Sequence, residues 1–287
     1  MNLADISTIK KLIGADDFSF KKSLGQNFLT DPSVCPRMAE AAADERTGVL
    51  EIGPGIGVLT RALSDVAKRV VTVELDERLR PILAKTLADL DNVTVIFGDA
   101  MKLDLAALIE EHFADCDRVA VCANLPYYIT SPIIMMLLES RLPIDNITVM
   151  VQKEAAERLC AEVSSREAGA VTVAVEYYAE SEILFGVTRD CFMPPPKVDS
   201  AVIKLNVRKK PAVDAKDEKK FFALVKACFA QRRKTLLNTV SSTLHIDKAA
   251  LAECLDEMGL PREVRAEKLN IEQLCTLSNL LSDKNIY

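Results

Sequence analysis

Short runs of β-branched and other apolar residues alternate with longer helical patterns between residues 48 and 207. The runs predict seven strands, at residues 48–53, 69–75, 92–98, 118–124, 146–152, 183–188 and 200–207. Helical patterns such as 76–90 and 153–163 separate most of these strands. Two parallel strands need a crossover of a dozen or more residues, usually a helix, between them. The alternation therefore predicts an α/β chain with a largely parallel sheet.

The last part of the chain departs from this alternation. Only the loop "RDCFMPPPK" joins the last two predicted strands, so we expect an antiparallel pair at one edge of the sheet. The charged stretch 208–220 is typical of a linker, and the segments after it are helical. We therefore predict a first domain over residues 1–208, which includes an N-terminal extension of residues 1–20. A small all-helical domain is expected over residues 209–287.

The composition is that of an ordinary globular protein, with 49% apolar and 27% charged residues. No uncharged apolar run is long enough for a transmembrane helix, which needs about 18 or more residues. Acidic residues interrupt the N-terminal segment, which is atypical of a signal or transit peptide, and we expect a cytoplasmic protein. The eight cysteines are scattered without a CxxC pair and the two histidines are far apart, so we expect no metal site.

The net charge of −6 hides a strongly basic segment. Between Lys204 and Lys234 the chain has eleven Lys or Arg residues against three Asp or Glu residues. This local charge of +8 leaves −14 for the rest of the chain. Concentrated basicity is the electrostatic footprint of a nucleic-acid partner, although a charge run is also typical of a solvated helix face. Both interpretations stay open on charge alone.

A glycine-rich loop, "EIGPGIGVLT", follows the first predicted strand. Gly53, Gly55 and Gly57 allow a tight turn and a close approach of the backbone to a ligand. The loop is not a dinucleotide fingerprint, because Val58 stands where the third glycine of GxGxxG is needed. A bare turn without a ligand is the alternative interpretation.

Two carboxylates follow the next two strands. Glu74 lies at the end of the second strand, where it can accept hydrogen bonds from both ribose hydroxyls, and Asp99 ends the third. Ligands of open α/β sheets bind at the carboxyl ends of the strands. The glycine loop and the two carboxylates together predict a pocket for a nucleoside. S-adenosylmethionine is a ligand that fits such a pocket. The alternative is that Glu74 and Asp99 cap the following helices.

The stretch "VCANLPYYIT" ends the fourth predicted strand beside this pocket. The Asn124 side chain offers one acceptor and two donors, and Pro126 restricts Leu125 to an extended conformation. Two acceptors aimed at an exocyclic amine would bind its two N–H groups and turn the nitrogen lone pair towards an electrophilic methyl group. Tyr127 offers a face on which a base can stack. The alternative is a turn whose tyrosines pack into the core.

At these residues the sequence resembles a known family. "NLPY" is similar to the motif of amino methyltransferases, and its leucine is typical of the ribosomal RNA adenine dimethylase family. Further similar blocks are "KKSLGQNFL", "VELD", "MVQKEAAERL", "FMPPPKVDSAVI" and "CFAQRRKTLLN", which extend from Lys21 to Asn238. The seven predicted strands also resemble the layout of class I methyltransferases. This resemblance implies a Rossmann-like fold, with a seven-stranded mixed sheet and helices on both faces, and a small C-terminal helical domain.

The resemblance also implies a reaction and a set of roles. It implies S-adenosylmethionine-dependent N6,N6-dimethylation of two adjacent adenines near the 3′ end of small-subunit (16S) rRNA, by a monomer that acts on the immature subunit. The implied cofactor-binding residues are Asn27, Leu29, Gly53, Gly55, Glu74, Asp99 and Asn124. The implied catalytic residues are Asn124, Leu125, Tyr127 and Phe192, and the implied RNA-binding residues are Arg232, Arg233 and Lys234.

Three other functions are compatible with parts of the sequence. A sister family methylates an adenine of large-subunit rRNA, but "QRRKTLLN" and "PPPKVDSAVI" favour the small-subunit enzyme. A mitochondrial-type transcription factor on the same scaffold is disfavoured by the absence of a transit-peptide pattern. An NAD-binding dehydrogenase is disfavoured by Val58 and by the NLPY block.

Overall fold

The computed structural model describes residues 3–14 and 27–286, and the chain packs as two compact units. The first unit comprises Met1–Ala156 and Ser181–Val207, and the second comprises Glu157–Glu180 and Arg208–Tyr287. The predicted division after residue 208 lies one residue from the point where the chain passes from the first unit to the second, between Val207 and Arg208. Residues 157–180, which we assigned to the first domain, pack with the second unit. The two-domain assignment itself stays a prediction.

The first unit contains the seven-stranded sheet that the sequence predicts. The strands are β1 (Phe28–Leu29), β2 (Thr47–Ile52), β3 (Arg69–Glu74), β4 (Val93–Phe97), β5 (Arg118–Asn124), β6 (Asn146–Gln152), β7 (Ala179–Val187), β8 (Phe192–Met193) and β9 (Ser200–Val207). The order in the large sheet is β4-β3-β2-β5-β6-β9-β7, and β1 and β8 form a separate two-stranded sheet. The predicted bounds agree within one residue except at β7, which begins four residues earlier than predicted.

The central strands share one direction, and this direction positions the site. β4, β3, β2, β5 and β6 are parallel to their neighbours. β9 is antiparallel to β6, with Ser200 opposite Gln152, and β9 and β7 lie at one edge as expected. Residues that follow β2, β3, β4 and β5 therefore meet along the same edge of the sheet.

Helices cover the sheet on both faces, as predicted. They are α1 (Ile6–Gly14), α2 (Val34–Ala42), α3 (Val58–Val66), α4 (Arg80–Thr86), α5 (Leu105–Phe113), α6 (Thr130–Glu139) and α7 (Lys153–Leu159). Met38 of α2 and Leu63 of α3 are fully buried in one core cluster with Val49 of β2. Gly48, one residue earlier, points to the opposite face, because neighbouring strand residues alternate. A Cβ on Gly48 would lie 2.5 Å from the Phe113 ring, so glycine lets α5 approach that face closely.

The helix predicted over residues 76–90 is divided. A 3₁₀ turn covers Glu77–Leu79 and α4 begins at Arg80. Pro81 lies in the first turn of α4, where its missing N–H costs no hydrogen bond. The break therefore follows from the position of the proline.

The second unit is helical in its described part. Its helices are α8 (Ala170–Tyr178), α9 (Glu218–Phe229), α10 (Leu236–Leu244), α11 (Lys248–Glu257) and α12 (Ile271–Asp283). The buried faces of α9, α11 and α12 include one fully buried side chain each, namely Phe221, Leu251 and Leu274. No described helix in either unit is long and apolar enough to cross a lipid bilayer.

The interpretation of residues 208–220 as a linker is wrong. The backbone N–H of Arg208 donates to the Tyr178 carbonyl at 2.8 Å, and that of Ala212 donates to the Tyr177 carbonyl at 3.0 Å. The Lys216 N–H donates to the Asn279 side chain at 2.9 Å, and its ammonium pairs with Asp283. The stretch is charged, but its backbone is fixed to other parts of the second unit.

Candidate active site

A cavity of about 160 Å³ opens at the carboxyl edge of β2 to β5, within the first unit. Its lining includes every residue that the sequence assigned to the cofactor: Asn27, Leu29, Gly53, Gly55, Glu74, Asp99 and Asn124. It also includes the four predicted catalytic residues, Asn124, Leu125, Tyr127 and Phe192. The structure thus brings together residues that are up to 165 positions apart in sequence. Arg232, Arg233 and Lys234 belong to the second unit.

The glycine loop leaves space for a ligand. Gly53 has φ of 75°, a conformation that L side chains rarely adopt. A Cβ built on Gly53 would meet no atom of residues 3–14 or 27–286 within 4 Å, although Gly53 lines the cavity. A side chain here would therefore project into the cavity, and glycine keeps this space open.

Glu74 connects the end of β3 to the glycine loop. One carboxylate oxygen accepts the Asp76 N–H at 2.8 Å, and the other accepts the Gly55 N–H at 3.2 Å. Burial raises the pKa of Glu74, an effect that these two N–H groups partly offset. A carboxylate has about four acceptor sites, so Glu74 keeps acceptor capacity for hydroxyl groups in the cavity.

The helix-capping alternative does not hold for either carboxylate. Asp76 caps the 3₁₀ turn after β3, since its side chain accepts from Arg78 N–H. Asp104 caps α5 by accepting from Ala107 N–H at 3.0 Å. Asp99 accepts the Met101 N–H at 3.0 Å and forms an ion pair with Lys102 at 3.2 Å. Capping is thus performed by other aspartates.

Asn124 ends β5 with its amide group available to the cavity. Its side chain forms no hydrogen bond within residues 3–14 and 27–286. The following residue is fixed: Leu125 is buried, and its N–H donates to the Met150 carbonyl at 3.3 Å. The Pro126 carbonyl accepts the Ile129 N–H at 3.1 Å and closes the turn. The backbone around Asn124 is therefore held by hydrogen bonds that leave its side chain available.

The two adjacent tyrosines differ in their surroundings. The Tyr127 hydroxyl forms a hydrogen bond of 2.7 Å with Ser200 Oγ, and burial raises the pKa of the phenol. Tyr128 is 57% exposed and also lines the cavity. The sequence indicated no role for Tyr128, and the only signal for one was its position in the NLPYY run.

Phe192 lies in the short sheet that closes one side of the cavity. It is opposite Leu29 in the β1–β8 pair, and it is 5% exposed. This pairing joins "NFL" to "FMPPPK", two segments that the sequence indicated separately. The predicted contact of Phe192 with a target base stays a prediction.

Two exposed apolar residues complete the rim. Leu75 directly follows Glu74, Met101 lies two residues after Asp99, and both line the cavity. Their exposed fractions are 53% and 43%. Apolar side chains beside two carboxylates fit a nucleoside, whose flat ring and polar hydroxyls need both kinds of contact.

A buried carboxylate lies under the cavity. Glu51 of β2 is fully buried, and the Thr60 hydroxyl of α3 donates to it at 2.6 Å. Burial raises the pKa of Glu51 to about 7, against the effect of the Thr60 and Thr72 hydroxyls, which lower it. Cys35 lines the cavity, and burial raises the pKa of its thiol, with a smaller contribution from Glu51. The sequence indicated no role for Glu51 or for Cys35.

Arg232 has a structural contact that the sequence did not indicate. Its guanidinium donates to the backbone carbonyls of Arg166 and Ala168, at 3.0 Å for the latter, all within the second unit. Arg233 and Lys234 are exposed. The RNA-binding role of the three residues stays a prediction, and Arg232 also fixes the loop before α8.

Class I methyltransferases combine this strand order with a nucleoside pocket at the carboxyl edge of the sheet, and the fold and cavity place the chain in that class. The sequence model described as ribosomal RNA adenine dimethylase matches residues 17–283, so the chain belongs to that family. The resemblance noted in the sequence is confirmed.

Relatives and solved structures agree with this assignment. A ribosomal RNA small subunit methyltransferase A of Bacillus licheniformis is 48% identical over 286 residues, which cover 97% of this chain and 98% of that protein. The protein of the same name from Geobacillus thermodenitrificans is 48% identical over 284 residues, 96% and 97% of the two chains. The crystal structure of a Plasmodium falciparum dimethyladenosine transferase is similar with a TM-score of 0.76 and 28% identity, over 90% and 98% of the chains. The crystal structure of the 23S rRNA methyltransferase ErmE is similar with a TM-score of 0.68 and 28% identity, over 89% of this chain and 99% of that chain.

Proposed function

We propose that this chain uses S-adenosylmethionine to dimethylate N6 of two adjacent adenines in the 3′-terminal hairpin of small-subunit (16S) rRNA. The observation that carries the proposal is the position of the Asn124 amide in the same cavity as Glu74 and Asp99, without a hydrogen bond to any residue that the structure describes. Relatives that are 48% identical over nearly the whole chain are named small subunit methyltransferases. The names of these relatives favour small-subunit rRNA as the substrate over 23S rRNA of the large subunit, which is the substrate named for ErmE.

The residues of the cavity fit S-adenosylmethionine. Glu74 would accept from the ribose hydroxyls, and Asp99 would accept from the adenine amino group, with Leu75 and Met101 against the ring. The open space at Gly53 and the neighbouring Asn27 and Leu29 would take the methionine end. When bound, this cofactor supplies a methyl group on a sulfonium that needs no further activation. The protein therefore contributes alignment and electrostatics.

The target amine would be held by two acceptors. The Asn124 side-chain oxygen and the Leu125 carbonyl would bind the two N–H groups of the adenine amine. This arrangement takes the nitrogen lone pair out of conjugation with the ring and directs it towards the cofactor. Tyr127, fixed through Ser200, would present its ring to the base, with Phe192 on the short β1–β8 sheet nearby. After transfer, the charged nitrogen loses its proton to water.

The second unit would contribute the contact with rRNA. The segment from Lys204 to Lys234 has a local charge of +8, and all of its basic residues except Lys204 belong to the second unit. Arg233 and Lys234 are exposed. Phosphate contacts of such residues provide much of the affinity for nucleic acid. We further propose that the protein acts as a monomer in the cytoplasm on immature small subunits.

The test is primer extension across the 3′ end of 16S rRNA from a strain that lacks this gene. We expect unmodified adenines in the deletion strain and dimethylated adenines after complementation with the wild-type gene. Complementation with an Asn124→Ala gene should leave the adenines unmodified. Restoration of erythromycin resistance instead, with no change in the small subunit, would support the large-subunit function. Unmodified adenines with the wild-type gene present would overturn the proposal and favour a protein that only binds RNA.

A further inference from the structure

Tyr128 is an exposed aromatic side chain at the rim of the cavity. Large apolar side chains at least 43% exposed are few in the described part of the chain: Ile6, Leu75, Met101, Tyr128, Ile183 and Val198. Three of them, Leu75, Met101 and Tyr128, line the cavity. Leu75 and Met101 follow the carboxylates proposed for the cofactor, whereas Tyr128 follows the residues proposed for the target base. Its position indicates a role towards RNA.

The exposure of Tyr128 is not a consequence of a loose turn. Tyr127 to Ile129 form a 3₁₀ turn, closed by the Ile129 N–H on the Pro126 carbonyl and followed directly by α6. The Thr130 hydroxyl also donates to the Pro126 carbonyl, at 3.4 Å. The backbone is thus fixed on both sides of Tyr128. Its phenol forms no hydrogen bond to any residue in the described ranges, 3–14 and 27–286.

Adjacent tyrosines in one rigid turn provide two separate stacking faces. Tyr127 is half-buried and tied to Ser200, while Tyr128 remains in water beside it. Single-stranded RNA is recognised mainly by splayed bases that stack on aromatic rings. A base that enters the cavity beside Tyr127 leaves its sequence neighbour at the rim, where Tyr128 is exposed.

We propose that Tyr128 is a positioning residue on which the base next to the target adenine stacks. This inference rests on the proposed function, in which the two targets are adjacent. One adenine of the pair would then occupy the rim while the other is in the cavity. A shift of the strand by one nucleotide would move the first adenine into the cavity and the nucleotide beyond it to the rim. Stacking strength gives modest sequence preferences, so a purine neighbour should be preferred to a pyrimidine.

Kinetics on unmodified small subunits from a deletion strain provide the first test. Base stacking is worth about 1–3 kcal/mol by alanine substitution, so Tyr128→Ala should raise KM for subunits about 5- to 150-fold. kcat should change less than KM. Tyr128→Phe should restore KM, because stacking needs the ring and not the hydroxyl. The matched control is Ile183→Ala, which removes a side chain 45% exposed on β7 and outside the cavity lining, and should keep the wild-type KM.

Subunits with altered rRNA provide the second test. Each adenine of the pair is replaced in turn by uridine, and methylation of the remaining adenine is measured with wild type and with Tyr128→Ala. We expect uridine to slow the wild type when it replaces the neighbour that stacks on Tyr128, and we expect the variant to lose most of this difference. An unchanged KM for Tyr128→Ala, or an equal neighbour preference in both proteins, would overturn the inference.

Cofactor binding distinguishes a role of Tyr128 towards RNA from a role towards S-adenosylmethionine. The affinity of Tyr128→Ala for S-adenosylmethionine, measured by calorimetry, should be that of the wild type. A weakened cofactor affinity with an unchanged KM for subunits would assign Tyr128 to the cofactor and overturn the inference. If the wild type does not methylate small subunits at all, the proposed function itself fails. If the wild type methylates them and Tyr128→Ala does so equally well, only the inference about Tyr128 fails.

Discussion

The hydroxyl groups of Tyr127 and Ser200 lie 2.7 Å apart and form a hydrogen bond that joins the NLPY turn to the first residue of β9. Ser200 is 1% exposed and Tyr127 is half-buried, so the bond is partly shielded from water. The two residues are separated by 73 positions in sequence. The tyrosine proposed to stack on the target base is therefore held by a strand that runs antiparallel to β6.

Removal of this hydrogen bond should make the Tyr127 ring more mobile and leave the other residues of the cavity in place. A hydrogen bond contributes about 0.5–1.5 kcal/mol, so Tyr127→Phe and Ser200→Ala should each lower kcat/KM for subunits about 2- to 12-fold. The double variant should be no worse than the more affected single variant, because both remove the same bond. Fully additive losses in this cycle would show that the two hydroxyls act independently.

Asn124→Ala should lower turnover by about 100-fold or more, the size of effect seen when one oriented group at a reacting centre is removed. Cofactor affinity should change less, since Glu74 and Asp99 remain in place. Single-turnover methylation and calorimetry measure the two quantities. Turnover near the wild-type rate would contradict the role of the amide.

Glu74→Ala should weaken S-adenosylmethionine binding about tenfold or more, because hydrogen bonds to a charged group contribute about 1.5–3 kcal/mol each. The matched control is Glu77→Ala, which removes an exposed carboxylate three residues later. Because burial raises the pKa of Glu74 above the ordinary 4.5, wild-type affinity should fall on acidification before an exposed glutamate would protonate. Calorimetry from pH 5 to pH 8 tests both statements, and equal affinities of the Glu74 and Glu77 variants would contradict the first.

Glu51→Gln should change the pH dependence of stability. The pKa of Glu51 is raised from 4.5 to about 7, so its contribution to stability is present in full below about pH 4.5 and is lost as the pH rises through 7. The neutral glutamine keeps an acceptor for Thr60 and does not titrate. The variant should thus gain stability over the wild type between pH 5 and pH 8, by up to about 3 kcal/mol. A constant gap in unfolding free energy across this range would contradict the assignment.

Arg233→Glu with Lys234→Glu should weaken binding to small subunits and leave cofactor affinity unchanged. The slope of log affinity against log salt should become shallower by about 0.7–0.9 per lost phosphate contact. Lys85→Glu, at an exposed lysine on α4, is the control for a single charge reversal and is compared with Arg233→Glu alone. Filter binding at several salt concentrations gives the slopes, and equal slopes for wild type and double variant would show that these residues are only solvated.

Arg232 is deliberately kept in that double variant. Reversal of its charge would remove the contacts with the Arg166 and Ala168 carbonyls. We expect Arg232→Glu to lower the melting temperature, and Arg233→Glu to leave it unchanged. Thermal unfolding of the two single variants distinguishes the structural residue from its exposed neighbour.

The sheet and the cavity were predictable because both depend on local sequence. Apolar runs define the strands, and parallel strands place Gly53, Glu74, Asp99 and Asn124 at one edge whatever the rest of the chain does. The β1–β8 pair was not predictable, since strands of two residues such as Phe28–Leu29 have no periodicity. It exists because two distant segments meet.

The error at residues 208–220 and the unforeseen contact of Arg232 have one physical cause. Residues 208–220 are as charged as a linker, but their backbone is satisfied by Tyr177, Tyr178 and Asn279, which are distant in sequence. Arg232 likewise looks like any other member of a basic run until its carbonyl partners are known. Composition describes what a side chain prefers on average, and only tertiary contacts decide what it does.

Because Asp76 and Asp104 cap the elements after β3 and β4, the residues proposed for ligand binding are separate from those that start the next helices. Replacing Glu74 or Asp99 therefore leaves the side-chain caps of both elements in place. Under the proposed function, such a variant would be inactive but folded, and it would still bind small subunits. It would then compete with the active enzyme for assembling subunits, and its expression would report how long the enzyme resides there.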